Sequence, residues 1–225
     1  MYNRAVLALL AVLATVPAIQ DAELQALVMK VQAYHDALDG FEADFTQRYE
    51  RRVLRKTLEE SGRVMVKKPG RMRWEYQTPE EKLFVTDGSR SYFYLPMEKQ
   101  VIVSHHPRGA MGMGEGSPFE LLAGTSRMTD NFAFFTSKQE PRRGGVMLHL
   151  IPTKHQEWFE EVEIEVSPET GELLRVVLVD AQRNRTEFSF ENVLRNIDLP
   201  ESLFRFTIPS GVDVVVQSDA PGDVP

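Results

Sequence analysis

The chain has 225 residues, 42% of them hydrophobic, with 26 Lys and Arg against 33 Asp and Glu and a net charge of −7. Such a composition belongs to a globular protein rather than a disordered one, and its acidic balance argues against nucleic acid as a partner, which requires a concentrated basic face. Cysteine is absent, which excludes disulfides, thiol catalysis, cysteine metal sites and a lipid-modified N-terminal cysteine.

At the N-terminus, Arg4 precedes an apolar run from Ala5 to Val16, and Val16-Pro17-Ala18 places small residues at a cleavage site. These 12 residues are too few to span a bilayer, which needs roughly 20. Residues 1–18 therefore read as a secretory signal peptide, and its removal takes away Arg4 and leaves −8, one less than −7. The export signal places the mature protein outside the cytoplasm.

Asp21 to Leu38 reads as one amphipathic helix: Leu24, Leu27, Val28, Val31, Tyr34 and Leu38 recur at spacings of three and four, and Gly40 is a stop. From Phe41 the period becomes two, and strands follow one another between turn signals such as Pro69-Gly70, Asp87-Gly88, Gly144-Gly145 and Pro168 to Gly171. Met72, Trp74 and Tyr76 share one face of a strand whose other face carries Arg71, Arg73 and Glu75. Val162, Ile164 and Val166 alternate with Glu161, Glu163 and Glu165, and Phe188 and Phe190 with Glu187, Ser189 and Glu191. The pattern predicts a large antiparallel sheet with one apolar and one wet face. The basic cluster Arg48, Arg51, Arg52, Arg55 and Lys56 reads as a solvated edge strand or hairpin.

A sheet of roughly ten strands must curl or split. A closed small barrel would fill itself with side chains, whereas a half-open one with a helix in its mouth would leave a concave apolar cavity. Residues 107–124 fit neither period. Gly109, Gly112, Gly114 and Gly116 approach Ser117-Pro118-Phe119-Glu120, a capping box opening a short helix with Gly124 as its stop. A brief capped helix on a glycine tether suits a movable lid, with Phe119, Leu122 and Ala123 on one face.

Catalytic and metal-binding patterns are weak. The glycine run lacks the Gly-Lys-Ser/Thr of a phosphate loop, and no Gly-x-Ser-x-Gly occurs. His105-His106 would point to opposite faces of a strand, so they read as a polar loop, not a metal site; His35, His149 and His155 complete the histidines. Glu161, Glu163 and Glu165 lie on the expected wet face, where nothing would split their pKa values into an acid–base pair. Asn184-Arg185-Thr186 is a glycosylation sequon that matters only in a eukaryotic secretory host. The sequence argues for no enzyme, cofactor or metal.

The order of these features resembles the periplasmic carriers that escort lipoproteins to the outer membrane of Gram-negative bacteria. Phe41-Glu42-Ala43-Asp44-Phe45-Thr46-Gln47 is similar to the family's first strand, and Gly62 to Trp74 to its strand–basic–Pro turn–Trp strand. Leu83 to Gly88 with Tyr92 to Pro96 resembles its Asp-Gly hairpin, Ser117 to Leu122 its lid helix, and Phe204 to Val214 its C-terminal strand. The resemblance implies one domain over residues 19–215, followed by a frayed tail over 216–225. The implied fold is an unclosed antiparallel β-barrel, with the N-terminal helix and a lid helix over a concave apolar cavity. It implies that acyl chains of lipoproteins bind against Val64, Val66, Met72, Trp74, Tyr76, Tyr92, Phe119 and Leu122. It also implies a monomer that takes cargo from an inner-membrane ATP-driven exporter and passes it to an outer-membrane receptor. Lys68 stands where the family typically has an arginine that ties the barrel to lid-helix carbonyls; lysine donates without the planar fork, and Arg71 is the alternative latch. Met72 replaces an aromatic residue near the mouth. A half-barrel that senses lipids or misfolded envelope proteins is the second reading.

Overall fold

A computed structural model describes residues 21–53, 55–105, 119–125, 127–153 and 159–217. Helix α1 (Asp21–Asp36) precedes six strands: β1 (Gly40–Arg51), β2 (Lys56–Lys67), β3 (Arg71–Thr78), β4 (Lys82–Asp87), β5 (Ser91–Leu95) and β6 (Gln100–Ser104). The short helices α2 (Phe119–Ala123) and α3 (Met128–Asn131) lead into β7 (Phe132–Thr136), β8 (Val146–Pro152), β9 (Glu161–Val166), β10 (Leu173–Val179) and β11 (Arg185–Arg195). A single 3-10 turn (Glu201–Phe204) and β12 (Asp213–Gln217) follow.

These strands form one 12-stranded sheet in the order β12-β6-β5-β4-β3-β2-β1-β11-β10-β9-β8-β7. Tight turns make successive strands antiparallel neighbours, and the long β1 and β11 join the two halves through pairs such as Phe45 with Phe190. Only β12 runs parallel to its neighbour, β6. Since β12 and β7 do not pair with each other, the sheet is unclosed, as expected. Val216 and Gln217 pair with Val103 and Ser104, so the first two residues of the tail expected from 216 belong to the sheet. No helix among the described residues is long and apolar enough to cross a membrane.

One face of the curled sheet is concave and buries the main core, with α1, α2 and α3 packed into it. The apolar stripe of α1 docks as its periodicity requires, burying Leu27, Val28 and Val31, with Leu38 just beyond its end. The β9–β10 turn holds this helix by close backbone approach. Gly171, at φ +82°, leaves no room for a Cβ, which would lie 2.6 Å from the Lys30 carbonyl oxygen, while Lys30 Nζ donates to the Pro168 carbonyl at 2.7 Å.

Two patches of the convex face are covered too, which corrects the expectation of a wet face there, while Asp44, Thr46 and Arg63 between them stay exposed. Over β2 and β3, Leu199 and Phe204 pack on Met65, and Phe206 lies against the rings of Tyr92 and Tyr94. Over β8 to β11, the β7–β8 connection folds across Glu165, and Glu163 lies 3.1 Å from His149 Nδ1 on β8; both carboxylates are buried rather than solvated. Glu165 accepts backbone N–H bonds from Arg142 at 3.0 Å, Arg143 at 2.5 Å and Gly145 at 3.1 Å. Alternation identified the face of these carboxylates; it carried no information about the loop that returns over them.

Candidate functional site

The concave face is built by register. β2 and β3 pair Val64 with Trp74 and Val66 with Met72, and β1 sets Phe41 and Ala43 opposite Val66 and Val64. Trp74 is 0% exposed at the centre of this face. Its ring meets Phe45, Phe119, Phe188 and Phe190 in edge-on geometry, with centroids 4.9, 5.6, 5.7 and 6.2 Å away. Such pairs stabilise beyond their burial by about 0.5–1.5 kcal/mol each. Tyr76 completes the row, donating its hydroxyl to Gln47 Oε1 at 2.7 Å. Burial raises the Tyr76 pKa above the ordinary tyrosine value, with Glu60 adding to the shift, so it remains a neutral donor.

Of the expected lining residues, Val64, Val66, Met72, Trp74, Tyr76, Phe119 and Leu122 all belong to this one cluster. Tyr92 does not. The β3–β4–β5 register runs from Trp74 through Phe84 to Phe93, and from Arg73 through Val85 to Tyr92. Phe93 therefore faces the concave side, and Tyr92 lies on the convex side beneath Phe206. Phe45, Phe188 and Phe190 were missing from the expected set. Their signal was present: Phe188 and Phe190 alternate with polar residues just as Trp74 and Tyr76 do.

The expected hollow is occupied by the protein's own cover. The α2 residue Phe119 is 3% exposed and wedges between Trp74 and Phe188, its centroid 4.9 Å from the latter. The N-terminal part of the expected capping box, Ser117-Pro118, and its glycine approach lie outside the described residues. Beneath Leu122 a void of about 20 Å³ remains, lined by Tyr34, His35, Leu38, Phe41 and Phe190 among others. It holds little more than one water-sized group. Among the described residues, Phe119 and Leu122 fill the space over this floor.

Several bonds hold the cover down. The Gly70 N–H donates to the Ala123 carbonyl at 2.8 Å, and Gln32 Oε1 accepts the Met128 N–H at 3.0 Å, tying α3 to α1. Lys68 connects the pieces by a different route from that expected. Its ammonium donates to the His35 carbonyl at the end of α1, not to a lid carbonyl. Its stem lies against Gly124, where a Cβ would come 2.5 Å from Lys68 Cδ and φ is +64°. Burial lowers the Lys68 pKa, while Asp36 and Asp39 oppose that shift. Arg71, the alternative latch, points elsewhere: it bonds Glu201 at 2.6 Å and the Lys68 carbonyl at 2.7 Å, clamping the convex-side segment. Replacing Lys68 with Met keeps the stem and removes the ammonium. Amide exchange at Gly70 and across 119–123 is expected to quicken by about tenfold, the scale of one charge-assisted hydrogen bond. Unchanged exchange would place the latch elsewhere.

No group of three His, Asp or Glu able to hold a metal occurs among the described residues. His105 is exposed, and His106 and His155 lie outside the described residues.

The profile of the family described as outer membrane lipoprotein carrier protein LolA matches residues 36–207. An outer-membrane lipoprotein carrier protein of Cupriavidus pinatubonensis is 32% identical, over 96% of this chain and 100% of its own length. One from Bordetella avium is 34% identical, over 94% of this chain and 93% of its own. Among solved structures, an uncharacterized conserved protein from Thermus thermophilus shares the fold at TM-score 0.53 and 16% identity, covering 88% of this chain and 100% of that one. With the profile spanning the unclosed sheet from the end of α1 past the 3-10 turn, the chain belongs to the outer membrane lipoprotein carrier protein family.

Proposed function

We propose that the protein is a non-catalytic periplasmic carrier that shelters the acyl chains of lipoproteins between its concave face and its helical cover. The carrying observation is the aromatic floor around Trp74, sealed by the short helix that supplies Phe119 and Leu122. These two side chains stand where hydrocarbon from a cargo would lie. Burying an acyl chain gains about 0.8 kcal/mol per CH₂, but the cargo must first expel the cover and expose its apolar side chains. The net affinity is the difference between two similar burials. That difference leaves the grip loose enough for a receptor to take the cargo.

In this reading residues 1–18 direct export and are removed, and the carrier acts as a monomer without cofactors. It collects cargo from an ATP-driven exporter in the inner membrane and surrenders it to a receptor at the outer membrane. The test uses the purified mature chain with a diacylated lipopeptide and the same peptide without acyl chains. The acylated form is expected to bind at least about tenfold more tightly, a difference of 1.4 kcal/mol. Equal affinity would end the carrier reading.

A further inference from the structure

His35 is 3% exposed on the inner face of α1, and neither of its ring nitrogens has a hydrogen-bond partner. Buried polar groups are overwhelmingly partnered, so this ring needs a reason. Trp74, whose indole N–H is also unpartnered, is a different case. Trp74 fills the centre of the core, with four rings around it, and its bulk alone accounts for it. An imidazole offers less apolar surface than the leucine that the same stripe of α1 would accept.

His35 also lines the void beneath Leu122, whose other walls include the hydrocarbon of Leu38, Phe41 and Phe190. The ring packs edge-on against Tyr34, centroids 5.2 Å apart. Burial pushes its pKa down to about 3, with the neighbouring Lys68 ammonium acting in the same direction and Asp36 against it. The imidazole is therefore neutral at ordinary pH, with one N–H donor and one bare nitrogen. The void lies between α1, the lid and strands β1, β10 and β11, with Tyr34 and Glu172 as its other polar walls, and the Lys68 ammonium reaches the carbonyl of the same His35.

We propose that this void is the seat of the acyl linkage, where a carbonyl of the bound lipid accepts a hydrogen bond from the His35 ring while its hydrocarbon runs inward along the aromatic floor. The proposal rests on the carrier reading and adds to it a chemical preference. An apolar cavity alone would bind an alkyl chain as well as an acyl chain. A buried donor left without a partner discriminates, because a ligand lacking the acceptor leaves that donor unsatisfied.

The test compares a diacyl lipopeptide with its dialkyl ether analogue of equal chain length, on the native protein and on His35→Leu. The native protein is expected to bind the ester about tenfold more tightly, the scale of one hydrogen bond to a buried donor. His35→Leu should bind both lipids equally and melt at a higher temperature, having lost an unpartnered polar group. Equal binding by the native protein overturns the proposal and leaves the carrier reading intact; failure to bind either lipid overturns both. A preference that survives in His35→Leu also overturns it. Should that variant fold poorly, the histidine ring ¹⁵N shifts of the native protein decide: a shift on adding the ester but not the ether supports the proposal, and identical responses sink it.

Discussion

Gly62→Ala is expected to destabilise the protein by about 4 kcal/mol, near the upper end for a single substitution. The added methyl would sit 1.8 Å from the Glu75 carbonyl oxygen, 2.8 Å from its carbon and 2.9 Å from Tyr76 Cα. All three are backbone atoms, so no rotamer change relieves the clash. β2 and β3 must part at the point where their register already shifts, between Ser61 and Gly62. The reason for the glycine lies on either side of it. Gly62 pairs with Phe45 on β1 and Tyr76 on β3, and those two rings meet at 4.9 Å and 80°. A side chain between them would separate the rings that form one end of the concave floor. Urea unfolding measures the loss. A cost below about 1 kcal/mol would show that the strands yield cheaply, since surface-like substitutions stay within ±0.5 kcal/mol.

The concave half of this architecture was legible in the sequence because alternation reports which residues share a face. Met72, Trp74 and Tyr76 could be placed together from spacing alone, and the stripe Leu27, Val28, Val31 on α1 likewise. What covers a face is not a local property. Glu163 and Glu165 alternate with valine and isoleucine as solvated residues do, yet both are buried, Glu165 beneath the β7–β8 connection. Tyr92 failed for another local reason. Tyr92-Phe93-Tyr94 is aromatic throughout, so alternation is silent, and only the turn that pairs Thr86 with Ser91 decides which ring faces inward. A short helix carrying Phe119 and Leu122 was readable, but not that these side chains would fill the interior themselves. That outcome depends on the balance of burial in the absence of cargo. His35 escaped notice because a polar residue on an amphipathic helix looks like a boundary residue until its surroundings are known.

Arg175→Met is expected to cost about 3–5 kcal/mol at neutral pH, the scale of breaking a buried ion pair from one side. Arg175 is 1% exposed and Glu165 0%; the guanidinium Nε bonds the carboxylate at 2.9 Å, and a second nitrogen lies 3.4 Å from Glu187. Methionine fits the volume but leaves Glu165 charged without its cation. Neutralising Glu165 as well would not restore stability, because that carboxylate also accepts the three amides that hold the β7–β8 connection.

The same network fixes the acid limb of stability. Burial opposes ionisation of Glu165 and Glu187, yet the three amides and Arg175 hold Glu165, and Arg185, Arg175 and Arg142 hold Glu187, below the usual carboxylate value of 4.5. The unfolded chain takes up protons at ordinary carboxylate pKa values. The stability these groups contribute is therefore full above that range and is lost as pH falls through their depressed folded values. In Arg175→Met the depression is smaller, so less remains to be lost. The gap in urea midpoint between native and variant should be widest at pH 7 and should narrow below about pH 4.5, the ordinary value for a glutamate. A gap independent of pH would mean that the cost is one of packing alone.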